Sequence, residues 1–285
     1  MVTQCPYCNS KRVIKRGYRK TDNRGKIQRY SCKSCDKRFV EHDAFFRMRN
    51  NPYKITMCLD LYFRGISLRK IQEHLSVFTP HNSNYSTILR WIQKYCIMIG
   101  KYTDKLKLKT STQITFDEME YKTKGKKSWF IDVLDMKTRY ILSSDYFYHR
   151  GGKELYQVLS KARKKSINMP TDIYTDGLSV YPRVLRKSYS MNKNYGYIRH
   201  HITTSKDKAF NWKIERLHEN IRERTKVIRQ FKSLYSAKAI MKGYEIFYNF
   251  CRKHQGINKY PYELATDLKL SENKWLDLIN LSYSR

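Results

Sequence analysis

The sequence has little negative charge. Its 285 residues include 25 acidic and 58 basic side chains, which gives a formal net charge of +33. Residues 1–112 contain 24 Lys and Arg against 7 Asp and Glu, and residues 113–285 contain 34 against 18, so the excess is not confined to a tail. A positive charge spread over the whole chain predicts a polyanion as the binding partner.

Long apolar runs are also missing. No run approaches the roughly 18 to 20 residues that a membrane span requires, and the first residues, MVTQCPYC, lack a secretory hydrophobic segment. We therefore expect a soluble, cytoplasmic protein with no membrane partner. The seven cysteines are odd in number, which argues against a disulfide framework in that compartment.

Four of the cysteines occur as two pairs. Cys5 and Cys8 form CPYC, Cys32 and Cys35 form CKSC, and 23 residues separate the pairs. Two short turns that each present two thiolates are what a tetrahedral zinc ion needs, so we predict one structural Zn²⁺. The intervening stretch alternates apolar and basic residues around Asp22-Asn23-Arg24-Gly25 and predicts a β-hairpin. Cys58, Cys96 and Cys251 have no such partners and are expected in the core.

The next segment has the spacing of three short helices. Apolar periodicity over residues 52–100 is broken at Arg64-Gly65-Ile66-Ser67, and Ser67 and Asn84 or Ser86 are suitable N-caps. Three helices with a glycine turn favour a helix-turn-helix domain whose last helix enters the major groove of DNA. On that helix the predicted DNA-facing residues are Asn84, Ser86, Thr87, Arg90 and Lys94.

The pattern changes near Gln113. Three strand-like runs, QITFDEMEY, SWFIDVLD and RYILSSDYF, precede a helix, the strand TDIYTD, a short helix, the strand YGYIRHH and a long helix from about Asn211. This order is that of the RNase H-like fold, with a mixed five-stranded sheet and flanking helices. The predicted class is α/β, with a zinc ribbon over 1–45, a helix-turn-helix domain over 46–100, a linker over 101–112, the catalytic domain over 113–255 and a C-terminal extension over 256–285.

The predicted fold brings two aspartates together. It places the first strand beside the strand that follows the first long helix, so Asp117 and Asp176 are expected side by side. Close carboxylates repel each other, and a pair of Mg²⁺ ions would neutralise them. A third carboxylate on the last helix would complete the site; Glu215, Glu219 and Glu223 share a face there, and Glu215 is preferred because an apolar stripe runs beside it. Glu118 and Glu120 are expected at the surface or behind the metal ligands rather than among them, and Asp132 is expected to have a structural role.

These residues resemble a DDE-type transposase of insertion sequences, within the retroviral-integrase superfamily. The matches are FDEMEYK around Asp117, TDGLSVYP around Asp176 and NWKIERLHENIRERTK around Glu215. Asn211, Glu215, His218 and Arg222 fit the third motif of related transposases, and the resemblance covers nearly the whole chain. The chain departs from the family pattern in the spacing of these motifs: 58 residues separate Asp117 from Asp176, and 38 separate Asp176 from Glu215.

The resemblance implies a two-metal enzyme that uses Mg²⁺ or Mn²⁺ to cut the ends of a DNA element and then joins the freed 3′-hydroxyl to target DNA. The implied partners are the terminal inverted repeats, the target DNA and a second copy of the chain, which suggests a nucleoid location. His218 would either orient the scissile phosphate or its attacking oxygen, or have a structural role, and Arg222 would contact DNA nearby. Further phosphate contacts are expected from Lys213, Arg216, Arg224, Lys226 and Arg229. Trp212 could stack on an unpaired base, whereas Trp129 is expected in the core.

Two other functions remain compatible with the sequence. One is a DNA-binding regulator with an inactive RNase H-like domain, and the other is a structure-selective nuclease such as a junction resolvase. A tyrosine recombinase is disfavoured because the chain shows no convincing Arg, His, Arg, Tyr cluster, although it contains 24 tyrosines.

Overall fold

The computed structural model describes residues 4–21, 25–40, 43–46, 48–79, 83–189, 198–203 and 208–283, without the side chains of 208–211. None of the helices in these ranges combines the length and the apolar character needed to cross a bilayer.

The N-terminal region is a small antiparallel sheet with its own core. Strands β1 (Val13–Thr21), β2 (Gly25–Cys32) and β3 (Arg38–Val40) pair in that order, and Thr21 lies opposite Gly25 as a hairpin requires. Most of the predicted turn, Asp22-Asn23-Arg24, lies outside the described residues. The register shifts between Lys15 and Tyr18, where Gly17 adopts a φ of 68° that a residue with a Cβ rarely tolerates.

Three helices follow. They are α1 (Pro52–Phe63), α2 (Leu68–Phe78) and α3 (Tyr85–Thr103). Side chains of Asn51, Ser67 and Asn84 accept hydrogen bonds from backbone N–H groups in the first turns, which satisfies donors that the helices leave unpaired. The predicted caps at Ser67 and Asn84 are therefore present.

A larger sheet begins at residue 113. Its strands are β4 (Gln113–Thr123), β5 (Lys126–Asp135), β6 (Ile141–Phe147), β7 (Asp172–Thr175) and β8 (Arg199–Ile202). Their spatial order is β6-β5-β4-β7-β8; β4, β5 and β6 pair antiparallel, whereas β7 runs parallel to both β4 and β8. The predicted RNase H-like fold is confirmed. The residues before Ile198 in the predicted last strand lie outside the described part of the chain.

Helices cover this sheet and join it to the N-terminal helices. They are α4 (Gly152–Lys165), α5 (Tyr181–Tyr189), α6 (Lys208–Ile228), α7 (Leu234–Ile246, continued by a wider turn over Phe247–Cys251), α8 (Pro261–Ala265) and α9 (Lys274–Tyr283). Helix α4 packs on β5 and β6, and α6 packs on β4 and β7. Helix α3 packs against α7 and α9, so one continuous hydrophobic core includes both the three helices and the sheet.

The segment 101–112 is anchored along its length. Helix α3 extends into it as far as Thr103, and the Leu108 side chain is fully buried. The Leu108 N–H donates to the carbonyl oxygen of Lys165 at 2.8 Å, and the Leu108 carbonyl accepts from the N–H of Ile167. These bonds fix the approach of the chain to β4, which carries the first aspartate.

Candidate active site and cysteine cluster

Asp117 and Asp176 occupy neighbouring positions in the sheet. Asp117 lies within β4, and Asp176 directly follows β7, the parallel neighbour of β4. Thr115 pairs with Tyr174, and the same register continued by two residues places Asp117 beside Asp176. The Asp117 carboxylate is braced by the backbone N–H of Glu118 at 2.8 Å, and the Asp176 carboxylate accepts from the N–H of Leu178 at 3.0 Å.

A third carboxylate belongs to this cluster. Asp117, Glu118 and Asp176 each offer an oxygen, and these oxygens lie within 4.8 Å of one another. Consecutive residues on a strand normally point to opposite faces, and we expected Glu118 outside the site. Pairing between β4 and β7 ends at Thr115 and Tyr174, and the next described bridge on that side of β4 joins Thr123 to Phe231. The stretch of β4 that contains Glu118 lies between these two points, and its long side chain reaches the cluster there.

Burial changes the ionisation of these carboxylates. Loss of solvent raises the pKa of Asp117 to about 6, against the opposing effect of His218, and raises the pKa of Glu118 to about 7. The Tyr181 hydroxyl donates to one oxygen of Glu118, whereas the other oxygen is buried without a partner. Burial and the neighbouring carboxylates therefore both make the binding of a proton or a cation favourable at this cluster.

His218 connects Asp117 to a second buried aspartate. Its Nε2 atom lies 2.8 Å from Asp132 and its Nδ1 atom 3.7 Å from Asp117. Asp132 lies opposite Asp117 in the β4–β5 register and is fully buried. Burial alone would lower the pKa of His218, but the carboxylates of Asp132 and Asp117 outweigh it and raise that pKa. The imidazole is thus held between the two carboxylates and fixes the side of Asp117 that faces α6.

The remaining residues of the third motif lie on α6. Glu215, Glu219, Arg222 and Glu223 are exposed, and the Glu215 carboxylate is not part of the three-carboxylate cluster. Glu215 precedes His218 by three residues, so both lie on neighbouring positions of the helix surface. The Asn211 side chain lies outside the described residues.

The predicted DNA-facing residues of α3 differ in exposure. Asn84, Arg90 and Lys94 are exposed, whereas Ser86 and Thr87 are half-buried. Asn84 uses its side-chain oxygen to cap α3. Lys94 lies over the Tyr95 ring, with Nζ 5.1 Å from the ring centre.

The basic residues on α6 and directly after it differ in exposure. Arg216, Lys226 and Arg229 are exposed, and Lys213 is half-buried with Nζ donating to the Met136 carbonyl at 3.3 Å. Arg224 is only 4% exposed, and its guanidinium lies 3.8 Å from the centre of the Tyr62 ring. The expectation that Arg224 contacts phosphates is corrected here, because this side chain faces α1 rather than solvent.

The four paired cysteines converge as their spacing predicts. Their sulfur atoms lie within 4.8 Å of one another, with Cys5 and Cys35 at 3.7 Å and Cys8 and Cys32 at 3.5 Å. Thiolates that bind one zinc ion at ~2.3 Å in a tetrahedron lie about 3.8 Å apart, so the geometry fits that ion. Cys58, Cys96 and Cys251 are buried in the main core, as expected.

Sequence reasoning missed three members of the acidic site. The sequence predicts Glu118 at the surface or behind the ligands and Asp132 in a structural role, and it predicts no role for Tyr181. A signal for Asp132 was available, because both β4 and β5 carry an aspartate at their centres and an antiparallel pair can place these opposite each other. Tyr181 had no comparable signal, because its contact with Glu118 depends on how α5 packs.

Two solved structures are similar to this chain in part. The HTLV-2 integrase catalytic core domain in complex with magnesium, in its trimeric form, aligns with a TM-score of 0.41 and 16% identity, covering 55% of this chain and 98% of that one. The simian T-cell lymphotropic virus intasome in complex with the PP2A regulatory subunit B56 gamma aligns with a TM-score of 0.42 and 12% identity, covering 74% of this chain and 73% of that one.

Curated relatives extend over most of the chain. The transposase for insertion sequence element IS257 in transposon Tn4003 of Staphylococcus aureus is 26% identical over 216 residues, which is 74% of this chain and 90% of the relative. The transposase for the IS431mec element of Staphylococcus aureus strain N315 has the same identity and coverage. The family model described as a DDE domain, of the IS240 transposase type, matches residues 111–254, the segment that contains the acidic cluster. This match spans half of the chain, which therefore belongs to the DDE-domain family and is a transposase of the insertion-sequence type.

Proposed function

We propose that this transposase cuts DNA at the ends of its element and joins the freed strand to target DNA, using Asp117, Asp176 and Glu215 as its catalytic carboxylates. The observation that carries the proposal is the convergence of Asp117, Glu118 and Asp176 within 4.8 Å, inside the segment that matches the DDE family. Asp117 and Asp176 are the two aspartates that the motif predicted, and Glu215 stands on the helix that packs beside them.

The residues present suit divalent cations. Three converging carboxylates offer the oxygen ligands that Mg²⁺ or Mn²⁺ prefers, and the partnerless buried oxygen of Glu118 is a free ligand atom. Two such ions, bound by Asp117, Asp176 and Glu215, would supply positive charge to the attacking and leaving oxygens of an in-line displacement.

The protein residues hold the site and the DNA. His218, supported by Asp132, fixes Asp117 on one side, and the N–H groups of Glu118 and Leu178 fix the two aspartates from the backbone. Arg222 is exposed one turn beyond His218, where it is available to a DNA phosphate. In the proposed order of steps, water first attacks a phosphodiester at the element end and frees a 3′-hydroxyl. That hydroxyl then attacks a phosphodiester of the target DNA. One site serves both steps, because each is an in-line displacement at phosphorus.

The N-terminal regions are proposed to recognise the element ends. The cysteine cluster fits one structural Zn²⁺, which supports a zinc ribbon over 1–45. The three capped helices support a helix-turn-helix domain over 46–100, with Arg90 and Lys94 exposed on its last helix for contact with DNA. The DDE domain would then occupy 113–255 and be followed by a C-terminal extension over 256–285.

The proposed partners are double-stranded element ends and target DNA. Synapsis of two ends requires two copies of the binding region, so we propose a homodimer or a higher symmetric assembly that acts at the nucleoid. Exposed Lys and Arg side chains on both the N-terminal region and the DDE domain are available for phosphates from both DNA molecules.

A cleavage and strand-transfer assay tests the proposal. Labelled DNA from both flanks of the coding region is incubated with protein and Mg²⁺ or EDTA, for the wild type and Asp176→Asn. We expect nicking at one defined flank position and joined products that require Mg²⁺. The variant should lose both products and still bind the flank DNA, because the substitution alters only one carboxylate of the proposed metal site.

The other outcomes distinguish the alternatives. Flank binding by the wild type without any cleavage would favour the regulator with an inactive domain. Cleavage that follows branched structure and ignores flank sequence would favour a junction-resolving nuclease. Equal loss of DNA binding in Asp176→Asn would contradict the assignment of that residue to the metal site.

A further inference from the structure

The hairpin of β1 and β2 extends beyond the core of the N-terminal sheet. The buried residues of that core are Cys5, Tyr30, Cys32 and Phe39. From Lys15 to Lys20 every residue of β1 is exposed, although neighbouring residues of a strand point to opposite faces. Both faces of the strand therefore lie in solvent. We call this part of the hairpin, residues 15–21 and 25–29, the hairpin arm.

The hairpin arm carries positive charge and no negative charge. Its basic residues are Lys15, Arg16, Arg19, Lys20, Lys26 and Arg29. None of them forms an ion pair with a carboxylate in the described part of the chain. Lys20 lies directly opposite Lys26 in the β1–β2 register, and such a like-charge pair destabilises a hairpin. A bound polyanion would offset this repulsion.

A β-bulge decides which side chains of the arm share a face. Lys15 lies opposite Tyr30 and Tyr18 lies opposite Gln28, so β1 has one residue more than β2 between these pairs. The Gln28 side-chain amide donates to the carbonyl oxygen of Gly17 at 2.8 Å, which adds a hydrogen bond where the ladder is interrupted. Without the extra residue, Tyr18 would point to the opposite face of the hairpin.

The two faces of the arm carry different side chains. Lys20 and Lys26 lie on the face of Tyr18, whereas Arg19 and Arg29 lie on the other face. Tyr18 is 62% exposed, so its ring is available to a ligand. Contacts to base edges and charge-assisted contacts to phosphates are the two kinds of contact through which proteins bind duplex DNA, and the arm offers side chains for both.

We propose that the hairpin arm enters the major groove of the element-end DNA, where Tyr18 contacts base edges and the basic side chains of both faces contact phosphates. The major groove, about 12 Å wide, admits a two-stranded β-ribbon, whereas the minor groove, about 6 Å wide, does not. At ~3.3 Å per residue the arm is about 20 Å long, which exceeds the depth of the groove.

The distribution of charge favours a groove over a flat surface of DNA. A ribbon inside a groove has a phosphate chain on either side, so cations on both faces are useful there. A ribbon that lay flat on the backbone would need cations on one face only. The inference rests on the proposed function for the identity of its DNA.

The first test compares duplex DNA from the flank of the coding region with an unrelated duplex of the same length. The buffer contains neither Mg²⁺ nor a chelator, and fluorescence anisotropy gives the dissociation constants. The wild type should prefer the flank duplex. Tyr18→Ala should lose about tenfold in affinity for the flank duplex only, since loss of one base contact usually has an effect of this size. Tyr7→Ala, at an exposed aromatic residue outside the arm, should change neither affinity.

The second test identifies the groove. Dimethyl sulfate methylates guanine N7, an atom that lies in the major groove. Methylated flank duplex is separated into bound and free fractions, which shows at which guanines the methyl group blocks binding. Some of the guanines that block the wild type should no longer block Tyr18→Ala. Each protein should contain one zinc per chain, which shows that the N-terminal sheet is folded.

A double variant, Lys20→Gln with Lys26→Gln, tests the charges. It removes a like-charge repulsion, so a loss of binding would not come from a destabilised hairpin. We expect weaker binding to both duplexes and a slope of log affinity against log salt that is smaller by about 2, because two phosphate contacts are lost. An unchanged slope would contradict the phosphate contacts of the arm.

Two further results would overturn the inference. One is a Tyr18→Ala protein that keeps the full preference for the flank duplex, and the other is the same set of blocking guanines for this variant and the wild type. Cleavage by the wild type together with either result would leave the proposed function standing without the arm. A preference that depends on Tyr18 in a protein that cleaves nothing with Mg²⁺ would leave the arm standing without the proposed catalysis.

Discussion

Glu118 follows Asp117 on the same strand, yet both carboxylates face one cluster with Asp176. This arrangement needs two features of the surroundings. The parallel pairing of β4 stops at Thr115, which leaves room for the Glu118 side chain, and the Tyr181 hydroxyl holds one of its oxygens. Burial raises the pKa of Glu118 to about 7, and the charges of Asp117 and Asp176 act in the same direction, against Tyr181 and Arg150.

We expect Glu118→Gln to weaken divalent-cation binding. The substitution keeps the size of the side chain but removes a negative charge next to Asp117 and Asp176, so cleavage should require roughly tenfold more Mg²⁺, which corresponds to about 1.4 kcal/mol. The measurement is the cleavage rate against Mg²⁺ concentration.

Glu120→Gln is the matched control for this prediction. Glu120 lies two residues further along β4, partly exposed and paired with Lys127, so its replacement should leave the Mg²⁺ requirement unchanged. Identical Mg²⁺ curves for Glu118→Gln and the wild type would exclude Glu118 from the metal site.

Three helices are held together by close packing at a glycine. Gly243 on α7 faces Phe63 of α1 and Cys96 of α3, and a Cβ atom added to Gly243 would occupy the space of both side chains. The helices that carry the proposed DNA-binding region are therefore fixed to a helix of the DDE domain through this contact.

Gly243→Ala should lower the free energy of unfolding by about 1–3 kcal/mol, the usual effect of overfilling a packed core. Urea denaturation followed by circular dichroism measures it. Gly256→Ala provides the control, because nothing lies within 4 Å of the added Cβ there. A stabilised Gly243→Ala protein would show that α1 and α3 do not pack on α7 in this way.

The N-terminal sheet depends on its cysteines more than on its core. Apart from Cys5 and Cys32, the buried residues of its hydrophobic cluster are Tyr30 and Phe39. So small a core does not stabilise a fold of this size by itself, and a metal is the usual substitute.

Freshly purified protein should contain one zinc per chain, measured by elemental analysis. Cys32→Ser should lose it, because three thiolates bind zinc more weakly than four. Cys251→Ser, in the main core, should retain the full amount. Absence of zinc from the wild-type protein would contradict the metal assignment.

At the scale of the whole molecule, the main feature is the excess of positive charge. The net charge of +33 is divided almost evenly between residues 1–112 and 113–285. A crevice between α6 and the chain over 248–260 is lined by six basic side chains and adds a local concentration of cations. A DNA molecule in contact with both halves would displace many counterions.

DNA affinity should therefore fall steeply with salt. If 6–10 phosphates are contacted, the association constant should drop by ~10³–10⁵ between about 50 and 200 mM salt, measured by anisotropy with an element-end duplex. Thermal unfolding over the same range is the control for the integrity of the fold. A flat binding response would rule out an extended phosphate interface.

The sequence by itself determined the features that depend on local pattern. Strand alternation and helix periodicity predicted the order of elements, and the Cys5–Cys8 and Cys32–Cys35 spacing predicted the cluster of four sulfurs. The expected order of strands in the sheet predicted that Asp117 and Asp176 lie side by side. Each of these is set by residues close together in the chain, or by the topology of one sheet.

Only the tertiary structure decided which distant groups meet. Asp132 reaches His218 across 86 positions, Arg224 turns inward onto Tyr62, and the crevice forms from α6 and a C-terminal segment that share no local pattern. These contacts arise from how helices pack on the sheet, and the free energy of that packing is distributed over many side chains rather than encoded in any single motif.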